Sequence, residues 1–494
     1  MPRPIHAARL AAFALLGACA VGPPPEAAPE AVPAVAARPE GAAQSASRAF
    51  LDSLTANRPR TASPRPLAEQ AAPVALDTAG GLAWLDVLRD PQLVALVTQA
   101  VAGNRDLALA QARVREYRAQ VGVARSGLFP QLSANGGTSR NRLAQGPTAV
   151  EFDAVRVTGD VSWELDFRGR TRRGAQAARY DLGARQEDAR AVVVELVGDV
   201  ATAYLQVREL DESLGLAERT LASRRATLEL ARQRFRQGVT SELEARQFEA
   251  ELADPAARMA DFARQRAEAE NRLGVLLGRG PGPVARGRPL DEVVRAVAIP
   301  DSLPGALVAA RPDVRAAERA LQASTARVGQ TVAGRYPAVS LTGQYGTQRP
   351  DFDGLFGRSG EIYTAQLGVS VPVFTGGRQR GEESAARART LQARARYEQT
   401  VLAALREADD ALAGVRSGRD GLLARGAQVQ ALEAALNIAE QRYRAGVSSY
   451  LEVLDPQRQL FAARLALVQA ERQYLVAVVD LYRALGGGWD APAR

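Results

Sequence analysis

The chain has 494 residues and a formal charge of +8, and its length alone would suggest about three ordinary domains. All 63 basic residues are arginine, interspersed with 55 acids along helical stretches rather than gathered in one patch, so no nucleic-acid partner is expected. The only histidine, His6, lies in a segment that reads below as a cleaved signal, and the only cysteine is Cys19, so the mature chain is expected to have no imidazole base, zinc site, intramolecular disulfide or Ser-His-Asp or Cys-His nucleophile.

At the N-terminus, Arg3 and Arg9 precede a short apolar run from Leu10 to Leu16. That run is too short for a membrane-spanning helix, which needs about 20 apolar residues, and it has the form of an export signal. It ends in Leu16-Gly17-Ala18-Cys19, which resembles a bacterial lipobox: small residues before the cut and a thiol after it to take the lipid. Residues 1–18 are therefore expected to be a lipoprotein signal peptide, with Cys19 the lipidation site. Ala20 stands where an Asp would favour inner-membrane retention, so the outer membrane is expected. Residues 19–80 are rich in Pro and Ala without a sustained period and read as an extended tether.

Beyond the tether the chain is one unit written twice. GLFPQLSANGGTSRN aligns with GRYPAVSLTGQYGTQ, pairing Pro130 with Pro337, and DFRGRTRRGAQAAR aligns with VFTGGRQRGEESAAR, pairing Phe167 with Phe374; both pairs lie 207 residues apart. ARQRFRQGVTSELE aligns with AEQRYRAGVSSYLE, where Gly238 and Gly446 are 208 apart. The repeats are expected at 81–290 and 291–494.

Each half carries two alternating strands. From Val155 to Phe167, Val155, Val157, Val161, Trp163, Leu165 and Phe167 are apolar, whereas Arg156, Asp160, Glu164 and Asp166 lie on the other side. Tyr363 to Val373 is its counterpart, and weaker strands follow Pro130 and Pro337. Each is about ten residues, the length of a tilted strand crossing a bilayer, although a half-buried soluble sheet has the same pattern. Four strands cannot close a barrel, and an open edge is not tolerated in lipid. A membrane reading therefore requires oligomerisation: two copies give eight strands, three give twelve.

The remainder reads as long helices. Leu196, Val200, Ala203, Val207, Leu210, Leu214, Ala217 and Leu221 alternate spacings of four and three, a heptad seam. Val401, Ala408, Val415, Leu422, Val429, Leu436 and Tyr443 hold a seven-residue period. A Gly after an Arg-rich turn, then Ser or Thr before Glu, predicts a helix stop and a new N-cap at both QGVTS and AGVSS, the tips of two helical hairpins. Pro255 and Pro456 predict breaks or bends in the returning helices.

These residues resemble the TolC-like outer-membrane factors, in the lipoprotein branch of OprM/NodT type. The resemblance spans nearly all of the mature chain: Cys19-Ala20-Val21-Gly22-Pro23, WLDVLRDPQLVALVTQAVAGNRDLALAQARV from Trp84, ENRLGVLLG from Glu270, ARPDVRAAERAL from Ala310 and the two tips. It implies a mainly α chain with four membrane strands, internally duplicated, trimerising into a twelve-stranded barrel continued by a periplasmic α-barrel of coiled-coil hairpins. It implies a homotrimer in outer-membrane lipid, served by a periplasmic adaptor and an inner-membrane RND-type pump. It assigns adaptor contact to the tips, at Arg236, Gly238, Val239, Ser241, Arg444, Gly446, Val447 and Ser449. Leu451, Asp455 and Arg458, spaced four and three, share one helix face, and the resemblance makes them a periplasmic gate. In a barrel, Arg156, Asp160, Glu164 and Asp166 face the lumen, where charge is tolerated.

A passive efflux duct without enzymatic activity, metal or cofactor is the expected function. A type I protein-secretion duct is an alternative, with drugs, metals, other small molecules and proteins open as cargo. A periplasmic adaptor lipoprotein would need one hairpin flanking a small β domain rather than a whole-chain duplication. Carboxylate-only catalysis is disfavoured, because the acids lie on repetitive helical faces and converge on no site.

Overall fold

A computed structural model describes residues 88–145, 148–297, 309–353 and 355–487; the expected signal peptide, Cys19 and the tether lie outside the described residues. The elements in chain order are α1 (Pro91–Gly103), α2 (Arg105–Ser126), β1 (Gln131–Gln145), β2 (Thr148–Leu165), α3 (Arg170–Arg236), α4 (Glu242–Ala250), α5 (Ala253–Leu276), α6 (Leu290–Ala296), α7 (Pro312–Ala333), β3 (Ala338–Arg349), β4 (Glu361–Ser370), α8 (Arg378–Arg444) and α9 (Leu451–Ala484). Two compact units result. One comprises Ala112–Gln186 and Ala316–Gln399; the other comprises the described residues of Ala34–Gln111, Glu187–Arg315 and Thr400–Arg494. Among the described residues no helix is long and apolar enough to cross a membrane.

The first unit holds one antiparallel sheet in the order β1-β2-β3-β4. Its register carries the alternation of each strand across the sheet. Trp163, Leu341 and Leu367 are lateral neighbours, as are Leu165, Val339 and Val369, which makes one apolar face. On the other face Asp160 accepts hydrogen bonds from Asn135 (2.6 Å) and Gln344 (2.8 Å), and Arg156 donates to Gln348 (2.8 and 3.0 Å). A side chain at Gly346 would place its Cβ 2.1 Å from the Val157 carbonyl oxygen, so this glycine sets the close approach of β3 to β2. β1 and β4 are edges and do not pair with each other.

Two strand boundaries differ from expectation. β2 begins at Thr148 rather than Val155, because the apolar positions change parity midway: Val150, Phe152 and Ala154 precede Val155 and Val157. Ala154 and Val155 are both buried at that switch, and the alternation restarts on the opposite face. β4 ends at Ser370, before Pro372, which has no N–H to give a ladder.

α3 and α8 each run 67 residues, roughly 100 Å at 1.5 Å per residue. Both ends of α8 lie 208 residues after those of α3. In the second unit the α3 seam is buried along its length, with Leu214 half-buried; Leu196, Val200 and Ala203 cluster with Leu475, Val478, Val479 and Tyr482 of α9, Val207 and Leu210 with Ala269 of α5, and Ala217 with Phe461 and Leu465 of α9. Leu93, Leu96 and Val97 of α1 join the first of these clusters. A buried network fixes that junction: Asp90 caps α1 by accepting from the Gln92 N–H (2.9 Å), the Tyr204 hydroxyl donates to Asp90 (2.8 Å), and the Gly287 N–H donates to Tyr204 (2.8 Å).

The two prolines sit differently in their helices. α9 is continuous through Pro456, which costs one bond of its second turn, while Val453, Leu454, Leu460 and Phe461 around it are buried. The break lies in the first half, at Glu251 and Leu252 between α4 and α5. Pro255 follows in the first turn of α5, where its missing N–H would have had no intrahelical partner.

Candidate functional site

Each hairpin tip is built by the same backbone device. Gly238 (φ +70°) and Gly446 (φ +75°) take the left-handed conformation that glycine adopts without a Cβ penalty. The Val239 N–H reaches the Arg234 carbonyl (2.9 Å) and the Val447 N–H the Arg442 carbonyl (3.1 Å), the six-to-one bonds that close a helix. Gly238 and Gly446 donate to Phe235 and Tyr443 in the matching shorter bonds. Val239 and Val447 are left 68% and 70% exposed, apolar side chains at the apex of each hairpin. Thr240 Oγ1 and Ser448 Oγ, 208 residues apart, are both shielded from solvent without a partner among the described residues.

The restarts differ. Ser241 caps α4 by accepting from the Glu244 N–H (3.3 Å), as expected. Ser449 does not cap α9: its carbonyl accepts from Glu452, and the cap position is Tyr450, which gives no side-chain bond. Tyr450 is instead buried against Phe248, with ring centroids 3.6 Å apart and Tyr443 edge-on at 6.0 Å. The Tyr443 hydroxyl donates to Glu244 (2.7 Å) across the two hairpins. Leu228, Ala231, Val453 and Leu454 complete this cluster, which joins all four helix ends beneath the tips.

Leu451, Asp455 and Arg458, the residues expected to form a gate, occupy one exposed face at the start of α9, with Leu451 58% exposed. Asp455 and Arg458 do not pair with each other. Asp455 accepts from Gln459 (2.8 Å), whereas Arg458 turns to Glu251 at the α4–α5 break, with Nε 2.8 Å from the carboxylate and Nη2 on the same oxygen. Glu251 is buried and also holds buried Arg224 of α3, whose Nη1 lies 3.1 Å from its carboxylate and 2.6 Å from its carbonyl oxygen. Of this triad only Arg458 was expected at the site from the sequence; Arg224 and Glu251 were not. Arg224 did carry a signal: continuing the seam from Leu221 by three and then four gives Arg224 and Leu228, so a charge falls on a core position. Glu251 had none, since its duplicated counterpart is Gln459.

Of the residues expected in a barrel lumen, Arg156, Asp160 and Glu164 share the polar face of β2. Asp166 lies beyond the end of β2 and accepts from the Arg172 N–H (2.8 Å), which ties the strand to the first turn of α3.

One carboxyl in the second unit is set for protonation near neutrality. Glu471 of α9 is only 9% exposed, and burial pushes its carboxyl up to about 7, helped by Glu212 of α3 and Asp291 of α6 and opposed by Arg295 of α6. Because the folded chain holds this proton more tightly than the unfolded chain, stability is highest below the ordinary glutamate range and falls as pH rises through 7. Glu471→Gln is expected to stabilise by roughly 3 kcal/mol at pH 8 and by little at pH 5. Thermal melting of both proteins across that range checks this, and a pH-independent difference between them would refute it.

Residues 96–279 and 303–487 match the outer membrane efflux protein family, and the chain belongs to that family. The solvent efflux pump outer membrane protein SrpC of Pseudomonas putida is 35% identical over 411 residues, 82% of this chain and 87% of SrpC. The solved outer-membrane channel OprN is 31% identical with a TM-score of 0.78, covering 88% of this chain and 99% of its own. The open state of the MtrE outer membrane channel of Neisseria gonorrhoeae is 31% identical with a TM-score of 0.73, covering 81% and 90%. This chain is the outer-membrane channel component of an efflux system.

Proposed function

We propose that three copies of this chain form a twelve-stranded barrel, anchored by lipid on Cys19. That trimer carries small organic molecules from an inner-membrane RND-type pump and a periplasmic adaptor to the exterior, with no reaction of its own. The observation that carries this reading is the sheet: four strands with an apolar face and two unpaired edges, β1 and β4. In lipid those edges need partners, and a closed ring of copies supplies them. Leu402, Leu423 and Ile438 of α8, all 45% or more exposed, support the same packing between copies. The small-molecule cargo follows the solvent named for SrpC. The face of Leu451, Asp455 and Arg458 lines the periplasmic mouth of that trimer, and the exposed tips meet the adaptor. Light scattering of the detergent-purified protein is expected to give three times the chain mass, with adaptor and pump co-purifying from native membranes. A stable monomer, or release from the outer membrane by a carbonate wash, would overturn the reading.

A further inference from the structure

Where the strands give way to helices, the first unit carries a dense group of arginines. Residues 164–173, 334–338 and 370–389 hold nine arginines against four carboxylates. The carboxylates are already committed: Glu164 to Arg170 (2.5 Å), Asp166 to Arg172 (3.4 Å), Glu382 to Arg378 (3.0 Å) and Glu383 to Arg335 and Arg387 (2.7 and 2.9 Å). Arg168 has the Tyr336 ring, 4.9 Å away, and Arg380 and Arg389 make no ion pair among the described residues. Neither α3 nor α8 has an acid in its first turn, so these arginines add positive charge at the positive end of each helix dipole.

Arg168, Arg170, Arg378 and Arg389 line one cleft together with the committed carboxylates Glu164, Asp166 and Glu382, which leaves Arg168 and Arg389 as its uncompensated charges. In the linker between the lining residues Pro372 and Arg378, Val373 and Phe374 are 93% and 90% exposed. A cationic cleft continuous with bare aromatic and aliphatic side chains matches a molecule that is anionic at one end and apolar along the other. We propose that this cleft binds the phosphate headgroup of an anionic phospholipid in the periplasmic leaflet, with Val373 and Phe374 against its acyl chains. The expected tether is a weaker match, since residues 22–80 carry six acids and five arginines and are nearly neutral. A planar guanidinium binds phosphate in a two-pronged fashion, and basic pockets at the base of membrane segments favour such headgroups.

The inference rests on the strands spanning the bilayer, and its test is separable from that reading. Wild-type trimer and an Arg168→Gln, Arg378→Gln, Arg389→Gln variant would be equilibrated with phosphatidylglycerol and phosphatidylcholine, and bound lipid read by native mass spectrometry. Wild type is expected to retain phosphatidylglycerol preferentially, each arginine contributing roughly fivefold. The triple variant should insert and trimerise normally but lose the preference. Glycerol 3-phosphate should neither bind nor protect against melting. Equal retention of both lipids by wild type, or an undiminished preference in the variant, would overturn the proposal. Protection by glycerol 3-phosphate equal to that by lipid would also overturn it, in favour of a soluble-anion site. Should the triple variant not assemble, Arg389→Gln alone must lower the preference. Failure of wild type to remain in the membrane would instead sink the trimeric-barrel reading.

Discussion

Glu251→Ala is expected to be the most damaging single substitution beneath the tips. It would leave Arg224, 6% exposed, as a charge without its carboxylate, at a cost of roughly 3–5 kcal/mol. Replacing Glu251 with Leu and both Arg224 and Arg458 with Met should recover most of that loss, because an apolar triad carries no desolvation penalty. Arg458→Ala tests the other end. Arg458 is largely exposed, so its loss should cost only about 1 kcal/mol while freeing α9 from the α4–α5 break. In the proposed trimer that freedom appears as a leakier resting pore, more so together with Asp455→Ala. Thermal melting and single-channel conductance in a planar bilayer separate the two effects. A conductance unchanged in Arg458→Ala and in the double variant would remove the gate role from this face.

The tips should show the opposite pattern, with function lost and stability kept. Val239→Glu together with Val447→Glu places a charge on each exposed apex, with melting expected within about 0.5 kcal/mol of wild type. If these apices contact the adaptor, a host carrying the variant should become as susceptible to exported compounds as one lacking the chain. Trimer content and membrane level should be unchanged. Full efflux by the variant would place the adaptor contact elsewhere. Gly238→Ala and Gly446→Ala serve as a contrast, each costing about 1–2 kcal/mol through the left-handed backbone rather than through the contact.

Much of the fold was legible because its periods are long and regular. The seam from Leu196 to Leu221 is a core seam, and three of the four strands start within two residues of where alternation or a preceding proline puts them. The exception, β2, changes face at Ala154 and Val155, and a period-two reading stops at such a slip. Local chemistry was less informative wherever packing outweighed it. Pro456 costs α9 one hydrogen bond, and the helix continues through it between buried neighbours on both sides. Ser449 reads as a cap, yet Tyr450 takes that position because its ring is needed against Phe248. The tip glycines were readable because only a positive φ closes those helices. Glu251 was not, since a single buried carboxylate in a charged helical stretch resembles its solvated neighbours until the fold brings Arg224 and Arg458 to it.

The two halves share helix length and tip geometry but not the return path: nine residues of α4, a break and α5 on one side, and 34 unbroken residues of α9 on the other. In the proposed trimer this makes the periplasmic rim quasi-equivalent, six apices of two alternating kinds. A partner ring of identical subunits then cannot repeat one contact six times. Each subunit must accept one of two docking environments, and dissociation of such a ring should proceed in two kinetic phases of equal amplitude.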